Sequence, residues 1–349
     1  MRSALWSALL CGVTAELAAA QGVPVTFEEP QPVGVTGFAV GTADYDRLAH
    51  TNTLAAGKMA LSLFKPAGDF YFFGQLTTAL EGGEAATEID NLIVSWTPSG
   101  ANQWSLAFGR FDAPIGFERD DEPLNLVPTN SFNFQLARPG KLTGAILRYT
   151  ASPHFDFAAA VANGWEVVQD NNRGKTALVR AEWIASEGFT AGITGVYGPE
   201  RDATDAFQRS LVSADVTFQH GPLIVGTELN VGGERDGMGG SNSWAGGAVT
   251  GFVRLGRSLG LSARYDHLDD TKAVLTGVPQ VLRSFTVGPM WFYSSAQEGI
   301  FSNIEHTTFH LPRIAMRTAL RVDYSTQPFF ESGQSGRNTT AVIELVYLF

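Results

Sequence analysis

The chain ends Ile343-Glu344-Leu345-Val346-Tyr347-Leu348-Phe349, where Ile343, Leu345, Tyr347 and Phe349 alternate up to the terminal residue with Glu344 on the other face. Side chains that change face at every step have the period of a β-strand. The same period runs back through the chain. In Ser213-Ala214-Asp215-Val216-Thr217-Phe218-Gln219 one face is Ala, Val and Phe and the other is polar. Leu261-Ser262-Ala263-Arg264-Tyr265-Asp266 and Leu320-Arg321-Val322-Asp323-Tyr324 put charges on the polar face. Around Ala177, Val179, Ala181 and Trp183 the opposite face is Thr176, Arg180 and Glu182. No stretch beyond the N-terminus makes a convincing amphipathic helix, so the fold is all-β.

Composition narrows the class. Of 349 residues 44% are hydrophobic, which excludes disorder, and only 17% are charged, below the roughly 25% of a soluble domain. The net charge is −11 with no cluster of Lys and Arg, so no nucleic acid partner is expected. Repeated apolar runs of membrane-helix length are missing. Residues 1–20 read as a secretory signal: Arg2 at the start, an apolar stretch from Ala4 to Val13, and Ala18-Ala19-Ala20 before Gln21. Cys11 is the single cysteine and lies inside that signal. Residues 21–349 therefore form an exported domain held by its hydrogen-bond ladder and packing, without disulfides.

The connections carry the architecture. Compact Gly/Pro/Ser turns near 66–68, 98–100, 152–153, 187–188, 221–222 and 258–260 alternate with longer polar connections at 42–52, 80–88, 112–140, 164–174, 198–209, 232–245 and 269–280. The turn spacing of about 34 residues would suit a solenoid, but no residue-level repeat accompanies it. Between the turns lie sixteen strand segments, from 34–41 to 339–349, and 294–313 is read as a long connection at the short-turn end. Short periplasmic turns, long extracellular loops and strands of about ten residues describe a transmembrane antiparallel β-barrel of about 16 strands. In lipid such a sheet must close, because each unpaired edge group costs several kcal/mol. Trp96, Trp104, Tyr149, Trp183, Tyr197 and Tyr265 fall near strand ends, where interfacial aromatics belong. The final segment resembles the C-terminal strand that bacterial outer-membrane barrels present, through the terminal residue Phe349, to their barrel-assembly machinery.

Phe108-Gly109-Arg110-Phe111-Asp112-Ala113-Pro114-Ile115-Gly116-Phe117-Glu118 resembles the motif of the OmpL-like β-barrel porin family. So do Lys141-Leu142-Thr143-Gly144-Ala145, Val161-Ala162-Asn163-Gly164-Trp165 and Asp170-Asn171-Asn172-Arg173-Gly174-Lys175, and Arg321-Val322-Asp323-Tyr324 is similar to the family's charged penultimate strand. The match is close over roughly 104–185 and elsewhere rests on pattern; the insertion at 294–313 departs from it. The resemblance implies a passive channel in the cell outer membrane for small polar solutes, surrounded by outer-membrane lipid. It implies no energy source and no cofactor.

Loop 112–140 is the third on the long-loop side, the position that narrows the lumen in general porins. Its Asp112, Glu118, Asp120, Asp121 and Glu122 form an expected acidic lip, opposed by inward Arg148, Arg180, Arg254, Arg264 and Arg321 across a transverse field. A solvated outer loop is the alternative, and Pro114-Ile115-Gly116 reads equally as a plain turn. Arg180 with Glu182, Arg264 with Asp266, and Arg321 with Asp323 share a face at i, i+2 and must line a pore or plug the barrel as ion pairs, since a lipid-facing Arg costs about 2–4 kcal/mol at mid-bilayer. If they line the pore, Arg264→Ala or Arg321→Ala shifts selectivity toward cations. His306 and His310 are too far apart in extended chain for one metal, and no metal is expected. A rim set built on Asp266-His267 and Asp269-Asp270 would make a lipase- or protease-like barrel enzyme, but it lacks a nucleophile motif. A non-conducting structural barrel is the third reading. Monomer and homo-oligomer stay open, as does calcium at the acidic loop tips.

Overall fold

The structure, a computed structural model, describes residues 33–349 apart from 82–83, 102, 187, 236–239 and 294–312. The signal segment 1–20, His306, His310 and nearly all of 294–313 lie outside the described residues. Among the described residues sixteen strands form one closed antiparallel barrel. They are β1 (Gly34–Asp46), β2 (Thr51–Ala67), β3 (Phe70–Glu81), β4 (Glu84–Trp96), β5 (Trp104–Asp112), β6 (Lys141–Ser152), β7 (Phe155–Ala162) and β8 (Thr176–Ser186), then β9 (Phe189–Arg201), β10 (Thr204–His220), β11 (Leu223–Arg235), β12 (Ser241–Arg254), β13 (Leu259–Asp270), β14 (Gln280–Phe292), β15 (Ile314–Ser325) and β16 (Arg337–Leu348). Every strand pairs with its neighbours in sequence, and β16 returns to β1 from Phe38↔Leu348 to Asp46↔Thr340. The terminal residue seals the seam: Phe349 and Gly37 exchange two backbone hydrogen bonds of 3.0 Å. No edge is left to solvate, which is the condition for crossing hydrocarbon with strands.

Alternation sorts the faces as the sequence indicates. Along β14, Gln280, Leu282, Ser284, Thr286, Gly288, Met290 and Phe292 are buried, and Phe285 between them is 50% exposed. Val179, Ile193, Leu229 and Leu345 are exposed on the outside. So continuous an apolar exterior calls for lipid rather than water. At the short-turn end aromatics pair across strands: Phe70 faces Trp96, Trp104 stacks on Tyr149 at 4.0 Å, and Phe155 faces Trp183.

Several connections are shorter than the sequence suggests. The expected loop 42–52 shrinks to 47–50 because β1 and β2 keep pairing to Asp46↔Thr51, and 198–209 shrinks to 202–203 between β9 and β10. Polar residues at these tips continue the ladder, which satisfies their backbone groups as well as water would. One glycine in the motif quoted above is sterically required. Gly109 has φ +134°, and a Cβ there would lie 1.8 Å from the Leu92 carbonyl oxygen of the neighbouring strand. Only glycine lets β4 and β5 approach there.

Candidate functional site

Between β5 and β6 the chain does not leave the barrel. Residues 113–140 turn inward and dock on the inner wall. Ala113, Pro114, Ile115 and Gly116 are buried, and the Ile115 amide donates to the Ala113 carbonyl at 2.8 Å, which closes a tight turn centred on Pro114. Gly116, with φ +72°, passes so close to Glu228 on β11 that a Cβ would meet its carboxylate at 2.0 Å. Beyond it come a 3-10 turn, Glu122–Leu124, and a π-helical turn, Asn133–Ala137. Arginines tie the loop to the wall. Arg264 on β13 donates to Glu118 Oε1 at 2.6 Å, to the Thr129 carbonyl, and to Thr129 Oγ1 at 3.0 Å. Arg317 and Arg321 on β15 donate to the Asn125 and Asn130 carbonyls at 2.7 and 2.6 Å. From the loop, Arg138 donates to Glu228 Oε1 at 2.7 Å, the Phe117 amide to Glu228 Oε2 at 2.9 Å, and the Phe132 amide to Asp266 at 3.2 Å. Apolar packing finishes the docking. Leu126 sits among Phe38, Val40, Ala60, Phe252, Met290 and Phe292, and Phe132 and Ala137 against Trp244, Leu268 and Leu282.

The loop's acids separate into two groups. Glu118 points to the arginines and also accepts from the Ser131 amide at 3.0 Å. Asp112 and Asp120 turn the other way, to Lys141 Nζ at 2.6 and 3.2 Å, and Lys141 also reaches Asp90 on β4 at 2.8 Å. Asp121 accepts from Gln75 Nε2 on β3 at 3.1 Å. Burial, with Asp112 nearby, pushes the Asp121 carboxyl up from 3.8 to about 7. Glu118 therefore faces the arginine wall, while Asp112, Asp120 and Asp121 latch the loop to β3, β4 and β6.

Sheet register collects inward charges that are far apart in sequence. Asp156 lies opposite Glu182, and the same row runs through Gly192, Asp215, Glu228, Ala248, Asp266 and Ser284 to Asp323. Six carboxylates thus share one line across nine strands. Each residue on that line is a strand apart from the next, so the acids would repel without cations among them. Arg180 bridges Asp215 at 2.7 Å and Glu182 at 3.5 Å, Arg138 takes Glu228, and Arg321 takes Asp323 at 2.7 Å. Arg317 pairs off this line with Glu344 at 2.5 Å.

The sequence-derived site residues fall into place unevenly. Arg180, Glu182, Arg264, Asp266, Arg321 and Asp323 all face inward, yet all are buried, held in contacts rather than facing one another across water. Of the three i, i+2 pairs, Arg180–Glu182 and Arg321–Asp323 are bonded; Arg264 instead reaches Glu118, and Asp266 takes the Phe132 amide. Arg148 faces inward opposite Ala158 and stays partly exposed, and Arg254 lies 4.6 Å from the Phe292 ring centroid. Glu122 opens the 3-10 turn. Asp266 and His267 point to opposite faces of β13, and Asp270 caps the next loop by accepting from the Val274 and Thr276 amides at 2.8 Å, so the rim set does not assemble. Sequence reasoning passed over Asp90, Arg138, Lys141, Asp215, Glu228, Arg317 and Glu344 as site residues. Arg317 was within reach, since it shares strand parity with Arg321 and Asp323.

The family model described as "Putative beta-barrel porin-2, OmpL-like" matches residues 44–349. The comparison with curated proteins finds no match. Among solved structures, the anion-selective porin from Comamonas acidovorans superimposes with TM-score 0.64 at 11% identity, covering 91% of this chain and 99% of that one. The outer membrane channel DcaP of Acinetobacter baumannii gives 0.61 at 11% identity over 91% and 97%. The loop L8 deletion mutant of OmpT, an outer membrane protein of Vibrio cholerae, gives 0.62 at 11% identity over 92% and 100%. These likenesses are of fold. Together with a family model that spans nearly all of the barrel, from the last turn of β1 to the terminal phenylalanine, they leave one assignment: the chain belongs to the OmpL-like β-barrel porin family.

Proposed function

We propose that the protein is an outer-membrane pore for passive diffusion of small polar or charged solutes, not an enzyme, with loop 113–140 as its constriction. The observation that carries this reading is the docked loop inside a closed barrel that is apolar outside and polar within. Current through a planar bilayer holding the refolded mature chain tests it. Stepwise channels are expected, and a folded, inserted barrel that never conducts would overturn it.

Charge selectivity follows from which inner charges meet water. The arginines of β8, β13 and β15 are neutralised by buried partners. At the long-loop mouth the water-facing inner residues include Asp44, Asp46 and Glu88. Their field favours cations entering from that side. The expected reversal potential in a salt gradient has the sign of cation preference, and Asp44→Asn with Asp46→Asn lowers the permeability ratio about twofold or more. An anion-selective wild type would remove these acids from the conduction path.

The Asp121 latch makes conduction pH-dependent. With its carboxyl raised to about 7 in the docked loop and ordinary when undocked, docking binds a proton. Docking is then strongest below about pH 4, weakens as pH rises toward 7, and levels off above it. Conductance is expected to rise between pH 4.5 and 8, and Asp121→Asn is expected to flatten that rise. An identical pH profile in the variant would discount the latch.

A further inference from the structure

The outer surface carries a feature that permeation does not use. His267 on β13 lies opposite Arg283 on β14, Arg283 opposite Tyr324 on β15, and Tyr324 opposite Arg337 on β16. All four are on the outward side, because Leu268 and Leu282, each beside one of them in sequence, are fully buried inside the barrel. Arg283 and Arg337 are exposed, and the Arg337 guanidinium lies 5.7 Å from the Tyr324 ring centroid. With neighbouring strands about 4.8 Å apart, His267 to Arg337 spans about 14 Å. Arg47 is also exposed just past β1, its amide bonded to the Thr339 carbonyl at 3.0 Å. Asp269, an acid next to His267 on this face, accepts from the Thr271 amide at 3.0 Å and offsets part of the charge of His267, which leaves Arg283 and Arg337 as the main cations of the row.

What lies beneath this row identifies the kind of partner. Two residues nearer the short-turn end, Tyr265, Phe285 and Val322 form the next outward row, and each is more than two-fifths exposed. Cations directly above an apolar, lipid-facing row mark the height at which hydrocarbon gives way to headgroups. There arginines reach up to phosphate while the rows below meet acyl chain. A soluble anion would use the cations and ignore the apolar row; a lipid uses both. The chain as a whole carries −11, so these arginines stand against its general charge.

We propose that the outer rim of β13 to β16, with His267, Arg283 and Arg337 above Tyr265, Phe285 and Val322, docks the phosphorylated headgroup of an anionic membrane lipid. The proposal rests on the membrane-pore reading above. Near an anionic surface each basic residue strengthens binding about fivefold. Native mass spectrometry of the refolded barrel in detergent, with phosphatidylglycerol or phosphatidylcholine added, reads the retained lipid directly. Wild type is expected to keep phosphatidylglycerol in preference to phosphatidylcholine, and Arg283→Gln with Arg337→Gln to lose about 25-fold of that retention. Arg283→Gln alone, expected to lose about fivefold, serves should the double variant fail to fold. Equal retention of the two lipids by wild type, or undiminished retention by a folded variant, overturns the assignment. Displacement by an equal concentration of inorganic phosphate overturns it too, as a plain phosphate site. Heat-modifiable mobility on gels and insertion into vesicles report the barrel independently, so a failure of the membrane reading shows as no inserted barrel rather than as an inserted barrel without lipid preference.

Discussion

Excising residues 119–136 and bridging the gap with a short Gly-Ser link is expected to raise single-channel conductance several-fold while leaving a folded barrel. The cut is geometrically permitted. Arg138 Nη2 donates to the Glu118 carbonyl at 2.7 Å, so the two ends lie within one arginine side chain's reach, a gap a short link spans. The barrel survives because its continuity lies in the ladders, and β5 still pairs with β6 from Trp104↔Tyr149 to Asp112↔Lys141. What the cut removes is the loop's own cover over the wall from β12 to β15: the Asn125 and Asn130 carbonyls, Leu126, Thr129 and most of the π-helical turn. Arg264, Arg317 and Arg321 then face water in an open lumen. Hydration replaces the lost bonds, so they are not stranded as unpaired buried charges. Solutes meet a wider cross-section. The reversal potential is also expected to move toward anions, because Glu118 loses its ordered neighbours Thr129 and Ser131 and three arginines gain solvent. Heat-modifiable mobility checks the fold, and step size in a planar bilayer checks the lumen. An intact barrel with unchanged steps would mean that conduction runs elsewhere.

The fold was legible because its signal is local. Strand parity is written residue by residue, so the face of Arg180, Arg264 and Arg321, the sixteen strands and the seam at Phe349 follow from alternation and turn chemistry. Strand ends were less so, because polar pairs such as Asp46↔Thr51 continue a ladder where composition reads as loop. The site lies further from the sequence. Asp215 and Glu228 become one acidic line with Asp266 only through register accumulated over several strands, and no local pattern encodes that sum. The loop partners were illegible for a related reason. Arg264 has Asp266 two residues away on its own face, and proximity in sequence favoured that pairing. Inside the barrel, Glu118 reaches Arg264 from 146 residues away because the loop backbone supplies Thr129 and Ser131 to complete the contact. The sheet set which way the charges point, and the docked loop set what they touch.

Arg264→Met is expected to weaken loop docking by about 3–5 kcal/mol, the usual cost of removing one partner from a buried ion pair. Parity alone placed Arg264 on a water-lined wall, where its loss would mainly shift selectivity toward cations. Burial changes the sign of the problem. At 1% exposure Arg264 holds Glu118, itself 4% exposed, and spans to Thr129. Asp266 beside it is also buried and accepts the Phe132 amide at 3.2 Å, so removal of the guanidinium leaves two buried carboxylates with less positive charge to offset them. The loop has one inexpensive response, which is to lift and admit water. Rapid current flicker is therefore expected, together with loss of heat-modifiable mobility at a lower temperature. Glu118→Gln in the same chain removes one of the stranded charges and keeps a hydrogen-bond partner for Ser131. It is expected to restore about half of the docking or more, since replacing both members of a buried pair is far cheaper than breaking it. The remaining deficit belongs to Asp266, and Asp266→Asn as a third change is expected to recover part of it. Wild type, Arg264→Met, Glu118→Gln alone and the double variant form a double-mutant cycle that the triple variant extends, read by the temperature of band conversion and by flicker rate. Additive losses from Arg264→Met and Glu118→Gln would show that the pair does not hold the loop, and that the apolar seat of Leu126 and Phe132 does.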